Sequence, residues 1–292
     1  MPIPKRGKVC YTEQNAERRQ TVVKKKTKRR KKQTKQTKQK NLPLIQLVSS
    51  LLLLAVFPFV LIMLANREPE LPYINPYRAE DFVTENGFMK CLTTDSVPGI
   101  DVSYYQGNID WEQVRQSGVE FAFVRLGFRR SSTGTLGEDE LAMKNLREAK
   151  KAGLKVGAYF FSQALSAEEA KEEAEFALGI LKGYQLDLPL AYDWETVEGS
   201  GRTDGMTSET LTKCVKAFCK AVENAGYESM VYFNRDLSQT LLDVRQLGGR
   251  TVWFAMYHTY PDAPCKPAYW QYSDKGTVPG IEGNVDLNLY LP

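Results

Sequence analysis

Histidine is almost missing from this chain: among 292 residues there is one, His258. Metal sites built on two or more imidazoles are thereby excluded, and at most one nucleophilic site could rely on a histidine base. Cysteine is sparse too, at five residues, which is too few for a disulfide-dense miniprotein. The 21 glycines and 14 prolines fall far short of a collagen-like repeat, and 42% hydrophobic residues are too many for a disordered polymer. Acids are nearly absent from residues 1–43, which hold 2 Asp+Glu against 16 Lys+Arg (net +14); residues 44–292 hold 33 against 23 (net −10). The overall charge of +4 therefore averages two chemically different parts. Charge of either sign is missing altogether from the 22 residues between Leu44 and Ala65.

Residues 1–43 include the low-complexity stretch KKKTKRRKKQTKQTKQK from Lys24 to Lys40. It has too little apolar surface to offset chain entropy and reads as a disordered tail. Leu44 to Ala65 follows, and as a helix at about 1.5 Å per residue it spans roughly 33 Å, the depth of a bilayer core, with Pro58 tolerable there as a kink. A buried soluble helix seldom runs uncharged for so long. A cleavable signal peptide normally has an apolar core of about 7 to 15 residues behind a short basic start, so both this run and its 43-residue leader are too long for one. A transmembrane signal anchor is expected. The flank before Leu44 is densely basic, whereas Asn66 to Glu85 carries only Arg67 and Arg78 among several acids, which puts the N-terminus in the cytoplasm and the rest outside. The tail is then a topology determinant that meets anionic lipid head groups, and no nucleic-acid partner is expected. Residues 66–95, with Pro69, Pro72 and Pro76, read as an extended stalk outside the membrane. Cys10 falls inside, and Cys91, Cys214, Cys219 and Cys265 fall outside, where disulfides persist. Cys214 and Cys219, five apart on an expected helix, point to different faces; a disulfide reaching Cys91 or Cys265 and free buried thiols both remain open.

From Gly99 onward, short β-rich runs alternate with helical patterns, the mark of βα units around a parallel sheet. Strands are expected near 100–104, 121–126, 155–161, 188–194, 229–233, 252–257, 269–272 and 285–289. Helices are expected near 111–117, 138–152, 167–182, 208–225 and 236–242. Ser166 and Glu169 are spaced as a capping box, and Gly153 and Gly226 stand where helices stop. After the fifth helix the gaps are too short for crossover helices. The expectation is an α/β fold: an irregular TIM-like barrel over 96–292, with about five βα units and three further strands, preceded by the one transmembrane helix.

Chemistry in such a barrel sits at the C-terminal strand ends, where the acids are Asp101, Asp193, Glu195 and Asp286. Asp193 and Glu195, in LAYDWE, are two apart on one strand and share a side, roughly 6.6 Å apart at the backbone. Crowding two acids raises the pKa of one, giving the neutral acid and charged partner that glycosidic cleavage requires. An Asp-x-Glu alone is also what a solvated strand end looks like. Ten aromatics at or near the same ends, among them Tyr159, Tyr192, Tyr232, Tyr257 and Trp270, turn the reading towards a carbohydrate groove.

The segments GIDVSYYQGNIDW (99–111), FAFVRLGFR (121–129), VGAYFFSQA (156–164), LAYDWE (190–195), MVYFN (230–234) and YWQYSDKGTVPGIEGNVDLN (269–288) together resemble the family 25 glycoside hydrolases, the Chalaropsis-type or cellosyl-type lysozymes. The resemblance covers about residues 97–292. It implies an irregular barrel of the kind read above and cleavage of the β-1,4 bond between N-acetylmuramic acid and N-acetylglucosamine in peptidoglycan, without metal or cofactor. It implies Glu195 as general acid, Asp193 as the acid that orients the substrate's own N-acetyl group, and Asp101 and Asp286 as the remaining acids. Tyr159, Tyr232 and Trp270 match groove aromatics. Phe128, Phe160 and Phe161 stand where relatives carry Tyr or His, which touches subsite preference. It further implies net retention through an oxazolinium intermediate, a choice the carboxylate spacing leaves open between retaining and inverting chemistry.

Rival readings are weaker. A zinc amidase lacks its histidines, and a Cys/His peptidase would need His258 with one outer cysteine. A catalytically silent peptidoglycan-binding or scaffold module is expected to have lost an acid, and all four are present. No wall-binding repeat is expected after Pro292, and the anchor would take its place, tethering a monomeric barrel that remodels the cell's own wall.

Overall fold

The computed structural model describes residues 73–292 apart from 198 and 200. The expected tail, the apolar run 44–65 and the start of the stalk lie outside the described residues. Among the described residues no helix is long and apolar enough to cross a membrane.

Eight strands close into a barrel. They are β3 (Val97–Val102), β4 (Phe121–Arg129), β6 (Lys155–Ser162), β7 (Leu190–Trp194), β8 (Ser229–Asn234), β9 (Thr251–Ala255), β10 (Tyr269–Gly276) and β11 (Val285–Tyr290); the pairing of β3 with β4 completes the ring. A short β5 (Leu136–Glu138) pairs antiparallel with the end of β4. Helices α1 (Trp111–Gln116), α2 (Ala142–Lys151), α3 (Ala167–Leu181), α4 (Ser208–Asn224) and α5 (Arg235–Thr240) follow β3, β4 with its β5 hairpin, β6, β7 and β8. Five βα units and three further strands are therefore observed, at the expected positions. One expectation fails in direction: β11 runs antiparallel to both β10 and β3. Only residues 277–284 separate it from β10, too few for a crossover connection, so the chain turns back as a hairpin. Asp286 thus lies near the start of its strand, and the antiparallel register sets it opposite Asp101.

Alternation along the strands sorts side chains into two cores. Phe121, Phe123, Tyr159, Ala191, Met230, Tyr232, Trp253, Ala255 and Tyr269 fill the barrel interior. Their neighbours in sequence, such as Ala122, Val124, Ala158, Leu190 and Tyr192, face the helices. The bulky interior rings fit because the neighbouring strands carry glycine beside them: a Cβ at Gly99 would lie 2.3 Å from the Phe121 ring, and one at Gly157 would lie 2.4 Å from Phe123.

Helix ends follow their capping residues. The Ser166 side chain accepts the Glu169 amide, but Glu169 reaches the Leu165 amide rather than completing the box on Ser166. Gly153 and Gly226, at φ +91° and +87°, stand where α2 and α4 end. On α4, Leu211, Cys214, Val215, Phe218, Cys219 and Val222 form one wide buried stripe. Cys214 and Cys219 are therefore both core residues, and they are not paired with each other. Cys91, Cys214, Cys219 and Cys265 are free thiols, and burial pushes the first helix thiol, Cys214, up to about 12.

Residues 73–95, expected as stalk, hold structure instead. A single 3-10 turn (Ala79–Asp81) leads into a hairpin of β1 (Phe82–Glu85) and β2 (Phe88–Cys91) around Asn86 and Gly87, both at positive φ. Asn-Gly between two strands is the strongest short hairpin signal. Tyr77, Phe82 and Cys91 pack on Trp270, Leu289 and Leu291, covering the outer face of β10 and β11, where no helix follows.

That packing removes Trp270 from the expected groove. It points outward beside the inward Tyr269 and Gln271, is fully buried, meets Phe82 edge-on at 5.2 Å and donates from Nε1 to the Met256 carbonyl at 2.8 Å. Trp270→Ala is expected to cost about 3–5 kcal/mol of folding stability, by cavity formation, without changing glycan preference. Urea unfolding with a parallel hydrolysis assay checks this; an altered glycan preference in a fully stable variant contradicts it.

Candidate active site

The inward side chains that end the strands line a cleft of about 540 Å³ at one mouth of the barrel. Asp101, Asp193, Glu195 and Asp286 all line it, together with Tyr159, Tyr232 and Tyr257. All four expected acids and three of the five expected aromatics therefore meet. Trp270 does not, and neither does Tyr192, which points to the helix layer: it is fully buried against Phe218 at 4.8 Å, with its hydroxyl 2.9 Å from that of Ser162. Strand alternation is the cause in both, since each adjoins an inward residue. His258 is exposed, beside the Thr259 hydroxyl, and is not among the residues lining the cleft.

The acids form two pairs. In the first, the Asp101 Oδ2 accepts the Gln271 and Asn288 side-chain amides, each at 2.8 Å. Tyr232 and Tyr257 hydroxyls both donate to the Gln271 Oε1 at 3.1 Å, and the Trp253 Nε1 donates to the Asn288 Oδ1 at 2.7 Å. Burial pushes the Asp101 carboxyl up, and the bonds from Asn288, Gln271 and Asp286 pull it back. Burial followed by the charge of Asp101 lifts Asp286 to about 9. At neutral pH Asp286 therefore keeps its proton and donates it to Asp101.

The second pair is Asp193 and Glu195. Asp193 is 5% exposed, and burial, then the Glu195 charge, hold it well above the usual carboxylate range. Glu195 is also raised by burial, with hydrogen bonds from Asp193 and Tyr232 offsetting part of the rise. The Asp193 Oδ1 has no hydrogen-bond partner among the described residues. Two buried carboxyls joined in this way titrate as a unit rather than separately. The backbone after them is braced: the Gln163 side-chain amide donates to the Glu195 carbonyl, and Arg202 bonds the Gln163 carbonyl at 3.1 Å and both Glu169 oxygens at 2.7 and 2.6 Å.

The direction of these shifts sets a pH dependence. A carboxyl raised to about 9 folds with its proton on. Its contribution to stability is complete below the ordinary aspartate value near 4 and is lost as pH rises towards 9. The melting temperature is expected to fall between pH 5 and pH 9, and to fall less in Asp286→Asn. Calorimetric scans across that range check it, and an identical slope in the variant contradicts it.

Four lining or supporting residues escaped the sequence reading: Arg125, Gln271, Asn288 and Asn234. Arg125 was legible by period two from the inward Phe121 and Phe123, and Gln271 and Asn288 by the same step from Tyr269 and Asp286. Arg125 is 9% exposed and its Nε donates to the Asp139 Oδ2 at 3.0 Å.

Comparison with known proteins gives a consistent result. The family model described as glycosyl hydrolases family 25 matches residues 100–281. The autolytic lysozyme of Clostridium acetobutylicum is 30% identical over 198 residues, covering 66% of this chain and 55% of that protein. Lysozyme M1 of Streptomyces globisporus is 26% identical over 207 residues, covering 68% of each. Among solved structures, the modular autolysin LytC of Streptococcus pneumoniae superposes with a TM-score of 0.61 at 26% identity, covering 72% of this chain and 52% of that one. The chain thus spans about half the length of the clostridial lysozyme and of LytC.

Proposed function

Because the chain belongs to glycosyl hydrolase family 25, we propose that it is a peptidoglycan muramidase, hydrolysing the β-1,4 bond between N-acetylmuramic acid and N-acetylglucosamine. The observation that carries this reading is the Asp193–Glu195 pair, two buried carboxyls both held above the usual carboxylate range in a cleft lined by Tyr159, Tyr232 and Tyr257. Its relatives' names, autolytic lysozyme and lysozyme, agree with it.

In the proposed mechanism Glu195, supplied with the pair's proton, protonates the glycosidic oxygen. The acetamide carbonyl oxygen of the sugar in the cleaved position attacks C1 as the C1–O bond breaks, and Asp193 accepts the acetamide N–H and stabilises the oxazolinium charge. Glu195, now ionised, takes a proton from water as that water attacks C1 and reopens the ring, giving net retention. Asp101, fixed by Gln271 and Asn288 and facing the protonated Asp286, is positioned to stabilise the developing cation when ionised.

The sequence supports a membrane setting for this enzyme. Leu44 to Ala65 would span the bilayer once with the basic tail in the cytoplasm, holding the barrel at the cell surface for wall remodelling. Release of a mature form cut near Ala65 into the medium contradicts that arrangement; retention in the membrane fraction after alkaline extraction supports it.

The activity is tested by incubating the protein with purified peptidoglycan, reducing the products with borohydride and identifying the sugar alcohol. Muramicitol ends support the reading. Glucosaminitol ends move the cleaved bond, and binding without release identifies a silent wall-binding module instead.

A further inference from the structure

Glu195 stands one residue beyond the last paired residue of β7: the ladder with β6 ends at Ser162–Trp194, and the ladder with β8 ends at Asp193–Tyr232. The sheet therefore fixes Asp193 but stops short of the backbone that carries Glu195. That backbone is held by the turn from β6 into α3. The Gln163 Nε2 donates to the Glu195 carbonyl and, at 3.1 Å, to the Ser162 carbonyl, while the Trp194 Nε1 donates to the Ala164 carbonyl at 3.0 Å. Arg202, seven residues after Glu195, returns to the same turn. Its Nε donates to the Gln163 backbone carbonyl at 3.1 Å, and its Nη2 grips both Glu169 oxygens at 2.7 and 2.6 Å. Gln163 thus pins the chain twice, with its side chain at Glu195 and with its own carbonyl at Arg202.

This brace is more than stability requires. Gln163 is fully buried, and its Oε1 has no hydrogen-bond partner among the described residues, a penalty that an apolar side chain would avoid. The amide nitrogen must face the two carbonyls, because only the nitrogen can donate to them. The Arg202 and Glu169 side chains stay 18% and 31% exposed, and an ion pair that open to water adds little to folding. It is nevertheless closely seated. A Cβ at Gly134, on the loop before β5, would lie 2.5 Å from the Arg202 Nη1, and the Glu169 carboxylate also accepts the Leu165 amide at 2.9 Å. A general acid must come within hydrogen-bond reach of the oxygen it protonates, and a misplacement of about 1 Å costs on the order of 10²-fold in rate. We infer that Gln163 and Arg202 are positioning residues for Glu195, fixing the backbone from which its carboxyl reaches the glycosidic oxygen, a role that rests on the muramidase reading of the same cleft. Neither is among the residues lining the cleft, so both act through Glu195 and not on the glycan.

The effect of removing them should therefore vanish once Glu195 is gone. Arg202→Met and Gln163→Met are each made in the full chain, alone and with Glu195→Gln. Initial rates of release of reducing N-acetylmuramic acid ends from purified peptidoglycan are followed across substrate concentration, with a melting curve for every variant. Alone, each substitution is expected to lower kcat about 10- to 100-fold and to leave KM within about twofold. Added to Glu195→Gln, each should cost no more than about a further twofold, because the carboxyl they place is absent. Arg202→Met, at the solvent-open end of the brace, carries the comparison if Gln163→Met fails to fold. A raised KM with unchanged kcat would overturn the inference, as would the full loss recurring on top of Glu195→Gln, or wild-type kinetics in the variants. If the wild-type chain itself releases no such ends, the muramidase reading falls and takes this inference with it.

Discussion

Glu195→Gln is expected to slow peptidoglycan hydrolysis by about 10² to 10⁴-fold while glycan affinity stays within about twofold. Glutamine keeps the volume of the side chain and its reach to Tyr232, so the cleft and the sugar contacts persist. What it removes is the proton donor to the leaving oxygen and, after bond cleavage, the base that activates water. It also removes the charge that helps hold Asp193 well above the usual carboxylate range, so the variant should lose the alkaline limb of the wild-type pH profile. Initial rates of new reducing ends, at several glycan concentrations and pH values, separate the possibilities. A wild-type kcat with a raised KM would reduce Glu195 to a binding residue.

Asp193→Asn is expected to lower kcat by about 10² to 10³-fold through a different loss. Asparagine still offers a carbonyl oxygen to the acetamide N–H, but it has no negative charge to place against the oxazolinium. It also removes the carboxyl hydrogen bond to Glu195, a group that burial raises, that bonds from Asp193 and Tyr232 partly lower, and that the charge of Asp101 raises again. The two effects can be told apart with the substrate. Glycan de-N-acetylated at the cleaved sugar should be a poor substrate for the wild-type protein, and Asp193→Asn should add little further loss on it, since residue and acetamide act together. The initial anomer followed by NMR adds a second check: retention fits the acetamide route, and inversion excludes it.

Much of the barrel was legible because its signals are local. Eight β-rich runs, five helical patterns with caps at Ser166, Gly153 and Gly226, and the shortened gaps after residue 242 are all read within a dozen residues. The acids were legible for the same reason: Asp193 and Glu195 share a side by simple alternation. Alternation, applied one residue further, would also have turned Tyr192 and Trp270 away from the cleft and Arg125 into it. Those aromatics were assigned by their type at a strand end, where side-chain direction decides. Asn86-Gly87 likewise marked a hairpin that the prolines before it obscured. Other features were not local. The antiparallel return of β11 depends on what β3 offers across the ring, and it is this pairing that brings Asp286 to Asp101. The support of Asp101 by Gln271 and Asn288 spans 170 and 187 residues of sequence, a distance over which no pattern speaks.

The measurement that tests the central claim most directly is digestion of purified peptidoglycan in water enriched in oxygen-18, briefly, with the fragments read by mass spectrometry and Glu195→Gln run in parallel. A muramidase working through Glu195 places one labelled oxygen at C1 of a reducing N-acetylmuramic acid, and the variant yields no such fragments. Label on N-acetylglucosamine ends, unlabelled anhydro ends, or labelled fragments from the Glu195→Gln protein would contradict it.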